Sequence, residues 1–398
     1  MKVLFLSTWF PYPPDNGARI RVSCLIKALS QKHNVFLISL LQDDSHPEDV
    51  QHLQDMCTIV SLHKNRWFAP SGIRNILGFF SFRPRHMTSS YDPGIRSAVA
   101  RAITDLQPDI LIASEFIAMD YVSADAHIPI IFEEFEVGWL HRQASYIHNV
   151  AKLRWYLTFA KWRTFARHLL NCADLFTCVS CNELELISGC YHPSCPGVII
   201  PNGVDTGRYT PASHVPEQGF LLYNGAPTYG PNLDSVRCFA QDIYPILVKH
   251  RPDAILHVTG RIDGLDLRDI SICPGIRFTG YIKDMRDILR RSSLLAVPLR
   301  QGGGSRLKIL EAMAAGVPVV STSIGAEGLD VVNGRHLLIA DSPGDFVNAI
   351  VHILNDSALA GEMSDNARRL VEERYSWSII GKQFTDLVEA TASASKRR

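Results

Sequence analysis

The chain has 398 residues, of which 46% are hydrophobic and 20% are charged. This composition excludes a disordered chain, and at roughly 150 residues per domain the length excludes a single small module. Forty Lys and Arg residues balance forty Asp and Glu residues. The even balance argues against a nucleic-acid-binding protein, because such proteins usually carry a basic surface.

The N-terminus and the cysteines indicate the cellular compartment. The apolar run that starts at Val3 ends before three prolines and is too short for the core of a signal peptide. No other stretch approaches the roughly 20 apolar residues that cross a bilayer. Nine cysteines are an odd number, so reduced thiols are expected rather than a disulfide framework. We therefore predict a cytoplasmic protein.

Five of the cysteines lie between Cys172 and Cys195, and the spacing of Cys178 and Cys181 suits half of a zinc site. The alternative is that Cys178 is a small apolar residue of a buried strand. The second pair, Cys190 and Cys195, lacks the tight spacing of a zinc knuckle. We therefore favour the strand and predict no metal.

The first half of the chain alternates short apolar runs with loops and amphipathic helix patterns. The sequence predicts a helix over residues 19–32 and strands over residues 3–7, 34–41, 110–113, 128–132 and 175–179. Such alternation is typical of βα units in a parallel sheet. A turn-rich segment at 201–205 and a polar stretch at 211–219 then predict a domain boundary.

The second half repeats the pattern and ends in helices. Strands are predicted over residues 220–225, 254–260, 276–281, 294–299 and 317–321. Helices are predicted up to Arg290 and over residues 233–249, 306–315, 346–354, 359–374 and 377–390. We therefore expect two doubly wound α/β domains, residues 1–200 and 201–375, followed by a helix and basic tail at 376–398. Parallel sheets bind ligands at the carboxyl ends of their strands, so the chemistry is expected in the groove between the domains.

The most informative segment is the sequence GGGSRLK at 302–308. Its glycines let successive backbone N–H groups point in one direction, and the start of the following helix adds a partial positive charge. Arg306 and Lys308 oppose the helix dipole there, which favours an anionic ligand such as a diphosphate. Glu311, on the same helix, is placed to bridge two ribose hydroxyls. The alternatives are a glycine-rich turn with solvated bases, and a surface ion pair between Lys308 and Glu311.

Several further segments carry a resemblance to a known family. They are PYPPDNGAR at 11–19, PNGVD at 201–205, NGAPTYGPNLD at 224–234, RLKILEAMAAGVPVV at 306–320, GAEGL at 325–329 and YSW at 375–377. Over nearly its whole length the chain resembles the GT-B glycosyltransferases of the group 1 family, in the sugar-transferase branch of bacterial polysaccharide biosynthesis. The resemblance implies an α/β GT-B fold, with two facing Rossmann-like doubly wound domains and a C-terminal helix that returns to pack on the first.

The same resemblance implies a site. The second domain would hold the nucleotide, with Glu311 on the ribose and with Arg306 and Lys308 as catalytic cations on the diphosphate. Gly17 would bring its backbone close to the sugar phosphate. The other donor-binding candidates are Gly225, Gly303, Gly304 and Ser305. Retention of the anomeric configuration is implied, and the lack of an Asp-x-Asp motif predicts a metal-independent reaction with no cofactor beyond the nucleotide sugar.

The chain departs from the family pattern in both domains. Gly303 stands where members usually carry a glutamate on the donor sugar, and the acceptor segments at 108–116 and 132–137 lack the usual histidine. Glu115 is the first candidate to replace that histidine, as an acceptor contact or a catalytic base, and the alternative is a solvated loop end. The other acceptor-side candidates are Arg19, Glu133 and Glu134, close to Glu136.

Two segments of the predicted acceptor domain, residues 64–86 and 141–173, contain basic and aromatic residues and no Asp or Glu. Such a composition suits the headgroup region of an anionic membrane, so a lipid-linked acceptor and a peripheral position at the inner face of the cell membrane are predicted. The alternative is that the second segment is an interior helix, whose aromatic residues form core and whose bases reach solvent.

The sequence therefore predicts a glycosyltransferase that moves a sugar from a nucleotide-diphosphate donor to a glycan or lipid-linked acceptor. Two alternatives remain, a non-catalytic nucleotide-sugar-binding subunit and a GT-B-shaped epimerase. A dehydrogenase is disfavoured because no G-x-G-x-x-G loop follows the first predicted strand. No nucleic-acid partner is expected.

Overall fold

The structure of the chain, a computed structural model, describes residues 1–43, 45, 47–65, 81, 83–122, 127–138, 141, 150–211, 215–302 and 306–395. Two compact units make up the fold. Unit 1 comprises Met1–Pro201 with Ile380–Arg398, and unit 2 comprises Asn202–Ile379. Each unit is built on a parallel sheet, which confirms the prediction of two Rossmann-like domains.

The sheet of unit 1 has seven strands within the described residues, in the order β3-β2-β1-β4-β5-β6-β7. They are β1 (Lys2–Ser7), β2 (Asn34–Leu41), β3 (Thr58–Lys64), β4 (Ile110–Ser114), β5 (Ile130–Glu133), β6 (Leu175–Cys178) and β7 (Gly197–Ile199). Every residue of the central strand β4 is buried, as expected for a sheet covered by helices on both faces. Cys178 is likewise a buried residue of β6, as predicted.

Helices connect these strands. They are α1 (Gly17–Ser30), α2 (Arg85–Ser90), α3 (Pro93–Leu106), α4 (Glu115–Met119), α5 (Val150–Asn171) and α6 (Cys181–Tyr191), with a 3-10 helix at Pro47–Leu53. The Asn16 side chain caps α1 by accepting a hydrogen bond from the backbone of Arg19. The C-terminal helix (Trp377–Ser395) packs on α1, where Gly381 lies against Ala28.

The sheet of unit 2 has the order β10-β9-β8-β11-β12-β13. Its strands are β8 (Phe220–Tyr223), β9 (Ile255–Thr259), β10 (Ile276–Gly280), β11 (Leu294–Val297), β12 (Val319–Ser321) and β13 (Leu338–Ile339). Its helices are α7 (Gly230–Cys238), α8 (Tyr244–His250), α9 (Arg268–Ser271), α10 (Met285–Arg291), α11 (Leu307–Ala314), α12 (Pro343–Asn355) and α13 (Ser357–Leu370). A π-helical turn at Val371–Tyr375 follows α13.

The helix predicted over residues 233–249 is not continuous. It is divided into α7 and α8 by a π-helical turn at Phe239–Ile243. Pro245 lies in the first turn of α8, and a proline inside a helix removes a backbone donor and clashes with the preceding turn. A wider turn before the proline accommodates both effects.

In the part of the chain that the structure describes, no helix has the length and apolar character needed to cross a bilayer. Nor do three His, Cys, Asp or Glu side chains come together there as in a metal site.

In both sheets the first and fourth strands of the unit are neighbours, with the connections running outward on either side. The carboxyl ends of such a strand pair form the crevice in which doubly wound proteins bind ligands. In unit 1 the pair is β1 and β4, and in unit 2 it is β8 and β11.

Candidate functional site

In unit 2, the crevice between β8 and β11 gathers the predicted donor residues. Asn224 and Gly225 directly follow β8, and the loop after β11 leads to α11. Three of the predicted donor residues, Gly303, Gly304 and Ser305, lie outside the described residues. Their neighbours Arg306, Lys308 and Glu311 are described at the start of α11 and in its second turn.

Glu311 is held by two neutral donors. Its Oε1 accepts a hydrogen bond from the Tyr209 hydroxyl at 3.0 Å, and its Oε2 accepts one from Asn224 Nδ2 at 2.9 Å. Asn224 is held in turn by the Thr259 hydroxyl, which donates to its Oδ1 at 3.2 Å. A carboxylate has about four acceptor positions, so both oxygens of Glu311 retain capacity for ligand hydroxyls. Burial raises the pKa of Glu311 to about 7.

Lys308 also contacts neutral groups. Its Nζ donates to Asn232 Oδ1 at 3.0 Å and to the Tyr223 hydroxyl at 3.2 Å. The predicted alternative of a surface ion pair between Lys308 and Glu311 is therefore wrong, since the hydrogen-bonding partners of both groups lie elsewhere. Burial, and then the nearby Arg306 charge, lower the pKa of Lys308 to about 7. Gly225 makes room for this ammonium, because a Cβ there would lie 2.7 Å from Nζ.

Arg306 holds two loops together. Its side chain is 6% exposed, and its Nη2 donates to the carbonyls of Ile324 at 2.7 Å and Gly302 at 3.3 Å. The same nitrogen lies 3.5 Å from Glu327 Oε2. The guanidinium is thus fixed at the start of α11, and its contact with a diphosphate stays a prediction.

The motif at 224–234 organises this crevice. Asn232 Nδ2 donates to the Ala226 carbonyl at 3.0 Å, and its Oδ1 accepts from the Tyr223 hydroxyl at 2.8 Å. Asp234 pairs with Arg300 of the loop after β11, at 2.6 Å. The motif therefore fixes the loop after β8 and ties α7 to the loop after β11.

Sequence reasoning missed Tyr209, Thr259 and Asn232 as members of the site. A signal was present for Thr259, because it is the last residue of β9 and so lies at the ligand-binding edge of the sheet. Asn232 lies within the sequence motif at 224–234. Tyr209 carries no such signal, since its contact with Glu311 joins positions 102 residues apart.

In unit 1, Glu115 begins α4 directly after β4, with a left-handed backbone φ of 68°. Its Oε1 accepts a hydrogen bond from Trp9 Nε1 at 2.8 Å. Burial raises the pKa of Glu115 to about 8, with a contribution from Glu133 and Glu136. Glu115 is therefore a partly buried residue at the start of a helix and not a solvated loop end, and burial favours the neutral form of its carboxyl group.

The structure corrects the proposed roles of Glu133 and Arg19. Glu133 is fully buried, with Oε1 accepting from Arg21 Nε at 2.6 Å and Oε2 accepting from the Ser114 hydroxyl at 2.7 Å. Arg19 is also buried, with Nη1 donating to Asp15 at 3.1 Å. Both side chains are enclosed by protein, so they support the fold of the crevice rather than contact an acceptor.

Glu134 differs from its neighbour. It has a left-handed φ of 55°, and its Oε2 lies 3.7 Å from Arg21 Nε without receiving a hydrogen bond. Burial raises its pKa well above the usual value, despite the Arg21 charge. Glu134 therefore remains a candidate acceptor contact. Gly17 is the first residue of α1, and its predicted contact with the sugar phosphate stays a prediction.

The two basic, aromatic segments are only partly described. Residues 66–80, 82, 139–140 and 142–149 lie outside the described residues, including Arg66, Trp67, Arg74, Phe79, Phe80, Phe82, Arg142 and Tyr146. Within α5, Trp162 and Phe165 are buried, whereas Arg163 and Arg167 are exposed, as predicted for an interior helix with solvated bases. Tyr156 and Leu157 are nevertheless exposed.

Two sequence families match the chain. The family described as Glycosyltransferase Family 4 matches residues 15–208, and Glycosyl transferases group 1 matches residues 220–356. One relative is the GDP-mannose-dependent monoacylated alpha-(1-6)-phosphatidylinositol monomannoside mannosyltransferase of Corynebacterium glutamicum, 28% identical over 212 residues. The match covers 48% of this chain and 55% of the relative, so it spans about half of each protein.

Two solved structures are similar in fold. Sucrose-phosphate synthase from Thermosynechococcus elongatus superposes with a TM-score of 0.74 at 16% identity, covering 99% of both chains. Anabaena Alr3699/HepE in complex with UDP and glucose superposes with a TM-score of 0.65 at 17% identity, covering 98% of this chain and 100% of that one.

Proposed function

We propose that this chain transfers a sugar from a nucleotide-diphosphate donor to a glycan or lipid-linked acceptor, because it belongs to the group 1 glycosyltransferases. Unit 2 binds the donor, and the crevice of unit 1 binds the acceptor. The mannosyltransferase of Corynebacterium glutamicum is named as GDP-mannose-dependent. The Anabaena protein was solved in complex with UDP and glucose.

The observation that carries the proposal is the arrangement of Glu311 and Lys308 on α11. Glu311 is oriented by Tyr209 and Asn224 and keeps acceptor capacity on both oxygens, which suits two vicinal ribose hydroxyls. Lys308 and Arg306 place two cations at the same helix start. A nucleoside diphosphate has a ribose for the carboxylate and a diphosphate for the cations, so it matches this arrangement. A neutral polyol has no negative charge for the cations and does not match it.

The chemical role of the cations follows from the reaction. When the bond between the sugar C1 and the phosphate oxygen breaks, its electron pair stays on the diphosphate, where negative charge grows. The acceptor hydroxyl oxygen forms the new bond to C1 on the same face, and its proton passes to the departing phosphate oxygen. This route retains the anomeric configuration and requires no strong protein base. Arg306 and Lys308 supply the stabilising charge, so we propose that the reaction is independent of metal.

Unit 1 contributes the acceptor contacts. Glu115 and Glu134 lie at the carboxyl ends of neighbouring strands, and both have pKa values raised by burial. A neutral or hydrogen-bonded carboxyl group can orient a hydroxyl without the free-energy cost of burying an unpaired charge. We propose that these two groups position the attacking hydroxyl.

The test is a thermal-shift screen of the intact protein against UDP and GDP sugars, followed by measurement of nucleoside diphosphate release. A ligand that binds only the folded protein raises its melting temperature. We expect at least one nucleotide sugar to do so and to release its diphosphate slowly in the wild type. Glu311→Ala and Lys308→Met should abolish both effects, whereas Glu373→Ala, at an exposed glutamate of unit 2, should not.

Two outcomes would overturn parts of the proposal. Binding without release under any condition would favour the non-catalytic subunit. Unchanged binding in Glu311→Ala would remove the donor site from α11.

A further inference from the structure

A large cavity within unit 1 is not explained by donor binding. Its volume is about 960 Å³, and its lining comes from α2, α4, α5 and the segment after β5. This volume lies at the upper end of the range for small-molecule sites, roughly 300–1,000 Å³. The cavity is therefore large enough for more than one sugar ring.

One part of the lining is acidic and consists of Glu115, Glu134 and Glu136. Burial raises the pKa of Glu134, and the carboxyl groups of Glu133, Glu115 and Glu136 raise it further. The Glu134 side chain is 13% exposed. Its Oε2 is buried and accepts no hydrogen bond. A hydroxyl donor would satisfy this oxygen.

The backbone at this acidic part is strained. Glu115 and Glu134 have φ values of 68° and 55°, in the left-handed region that side chains rarely adopt. Among the residues that the structure describes, the other non-glycine residues with positive φ are Gln107 and His192. They are the C-caps of α3 and α6, where this conformation is common. Strain without a capping role is concentrated at functional sites. The strained backbone of the two glutamates therefore supports a functional role for this part of the lining.

A second part of the lining is apolar and includes Phe116, Ile117, Leu157 and Trp162. The rings of Phe116 and Trp162 meet edge to face, with centroids 5.3 Å apart. Leu157 is 62% exposed although it is a large apolar residue. Sugar hydroxyls packed against these side chains would lose hydrogen bonds to water, which costs free energy. A hydrocarbon chain in the same place would be stabilised by leaving water.

We propose that this cavity binds an acceptor in which a hydroxyl-bearing headgroup is joined to an apolar chain. The hydroxyls contact Glu134 and Glu115, and the chain lies along Phe116, Ile117, Leu157 and Trp162. The inference rests on the function proposed above and names the chemical class of its acceptor. It selects a lipid-linked acceptor over a free glycan.

The test is a series of alkyl β-glucosides with methyl, hexyl and octyl chains, each below its micelle concentration, titrated into the intact protein by calorimetry. The headgroup stays constant, so only the chain changes. Affinity should rise by up to about fourfold per added methylene, which is the factor that full burial of one methylene group gives. Equal affinity for the methyl and octyl glucosides would overturn the proposal.

Leu157→Asp tests the apolar part directly. Because Leu157 is mostly exposed, we expect the substitution to leave the core of unit 1 intact, and an unchanged unfolding transition in scanning calorimetry checks this. The variant should flatten the dependence on chain length. Val332→Asp is the matched control, since Val332 is an apolar residue of unit 2 that is 53% exposed. An unchanged chain-length dependence in Leu157→Asp would overturn the proposal.

Glu134→Gln tests the acidic part. It should weaken all three glucosides by a similar factor and leave the chain-length dependence unchanged, because it alters only the headgroup contact. An unaltered affinity for all three would remove Glu134 from the site and overturn the proposed orientation.

The outcome also separates this inference from the proposed function. Nucleoside diphosphate release without any chain-length dependence would overturn the lipid acceptor and leave sugar transfer standing. A chain-length dependence without release from any donor would support the cavity and contradict sugar transfer.

Discussion

Burial brings the pKa values of the two titratable side chains of α11 to nearly the same pH. It raises the pKa of Glu311 to about 7 and lowers that of Lys308 to about 7. The hydrogen-bonding partners of both groups are neutral, namely Tyr209 and Asn224 for the carboxyl group, and Tyr223 and Asn232 for the amine. Small changes of pH or charge near neutrality therefore alter the protonation of this site.

Donor binding is expected to depend on pH with a maximum near pH 7. The form of Glu311 that accepts ribose hydroxyls is the carboxylate, so affinity rises as the pH increases through about 7. The form of Lys308 that binds a diphosphate is the ammonium, so affinity falls as the pH increases through about 7. Titration calorimetry with the nucleotide sugar from the screen, between pH 5.5 and 8.5, measures both limbs.

Single variants assign the limbs of this profile. Lys308→Met should bind more weakly at pH 7 and lose the alkaline limb, and Glu311→Gln should lose the acidic limb. A wild-type affinity that does not change over this pH range would contradict both assignments.

Removing one hydroxyl should weaken the donor site without altering the fold. In Tyr209→Phe, Glu311 Oε1 loses the hydrogen bond that it accepts at 3.0 Å. We expect donor affinity at pH 7 to fall by up to about tenfold, because the carboxylate loses a partner that orients it and holds its pKa down, and one pKa unit corresponds to about a factor of ten. That hydrogen bond also lowers the pKa of Glu311, so the acidic limb should move to higher pH.

The control for this prediction is Tyr281→Phe, at an exposed tyrosine of unit 2. It should leave both affinity and pH profile as in the wild type. A tenfold loss without any movement of the acidic limb would mean that Tyr209 acts on packing and not on the carboxylate.

At the scale of single residues, the sequence motif identified Lys308 and Glu311 of α11 as donor-site candidates but did not predict which residues hold them in place. Tyr209 could not be assigned because its partner is 102 residues away. In unit 1, three glutamates occur within four positions, and the sequence did not distinguish Glu133 from Glu134. The distinction arises because β5 ends at Glu133, which points into the interior, and the left-handed backbone of Glu134 then turns the chain.

At the scale of elements, the central strands and the edge strand β10 were predictable, whereas the edge strands β3, β7 and β13 were not. Strands such as β4 are buried on both faces and read as continuous apolar runs. The edge strand β3 alternates exposed and partly buried residues, and β13 has only two residues. Neither provides a long apolar run, so neither was predicted. The two doubly wound sheets were nevertheless predicted correctly because their order depends on the central strands.

Two helical glycines should respond to alanine in opposite directions. Alanine favours a helix over glycine by up to about 1 kcal/mol. Gly361 of α13 has open space around it, so Gly361→Ala should raise the melting temperature. A Cβ at Gly381 would lie 2.6 Å from the Ala28 Cβ of α1, so Gly381→Ala should lower it because the C-terminal helix must move away.

Scanning calorimetry of both variants measures this difference. The double variant Gly381→Ala with Ala28→Gly should recover part of the loss, because the clash is relieved. Equal stabilisation by the two single variants would contradict the close packing of the C-terminal helix on α1.

At the scale of the whole molecule, the net charge of zero conceals an uneven distribution. The described part of α5 presents Arg163 and Arg167 to solvent, and the same helix carries the exposed side chains of Tyr156 and Leu157. Cations beside apolar side chains suit the surface of an anionic bilayer. The lipid-linked acceptor inferred for unit 1 would be reached from such a surface.

Flotation with liposomes of phosphatidylcholine and phosphatidylserine tests this arrangement. At low salt the wild type should float with the liposomes, and at high salt it should stay at the bottom, because salt screens exposed charges. Arg163→Glu with Arg167→Glu should prevent flotation, since each cation near an anionic surface contributes about 1 kcal/mol. Lys283→Glu with Arg335→Glu changes the net charge equally at exposed positions of unit 2 and should still float. Loss of flotation in both double variants would attribute binding to overall charge and not to α5.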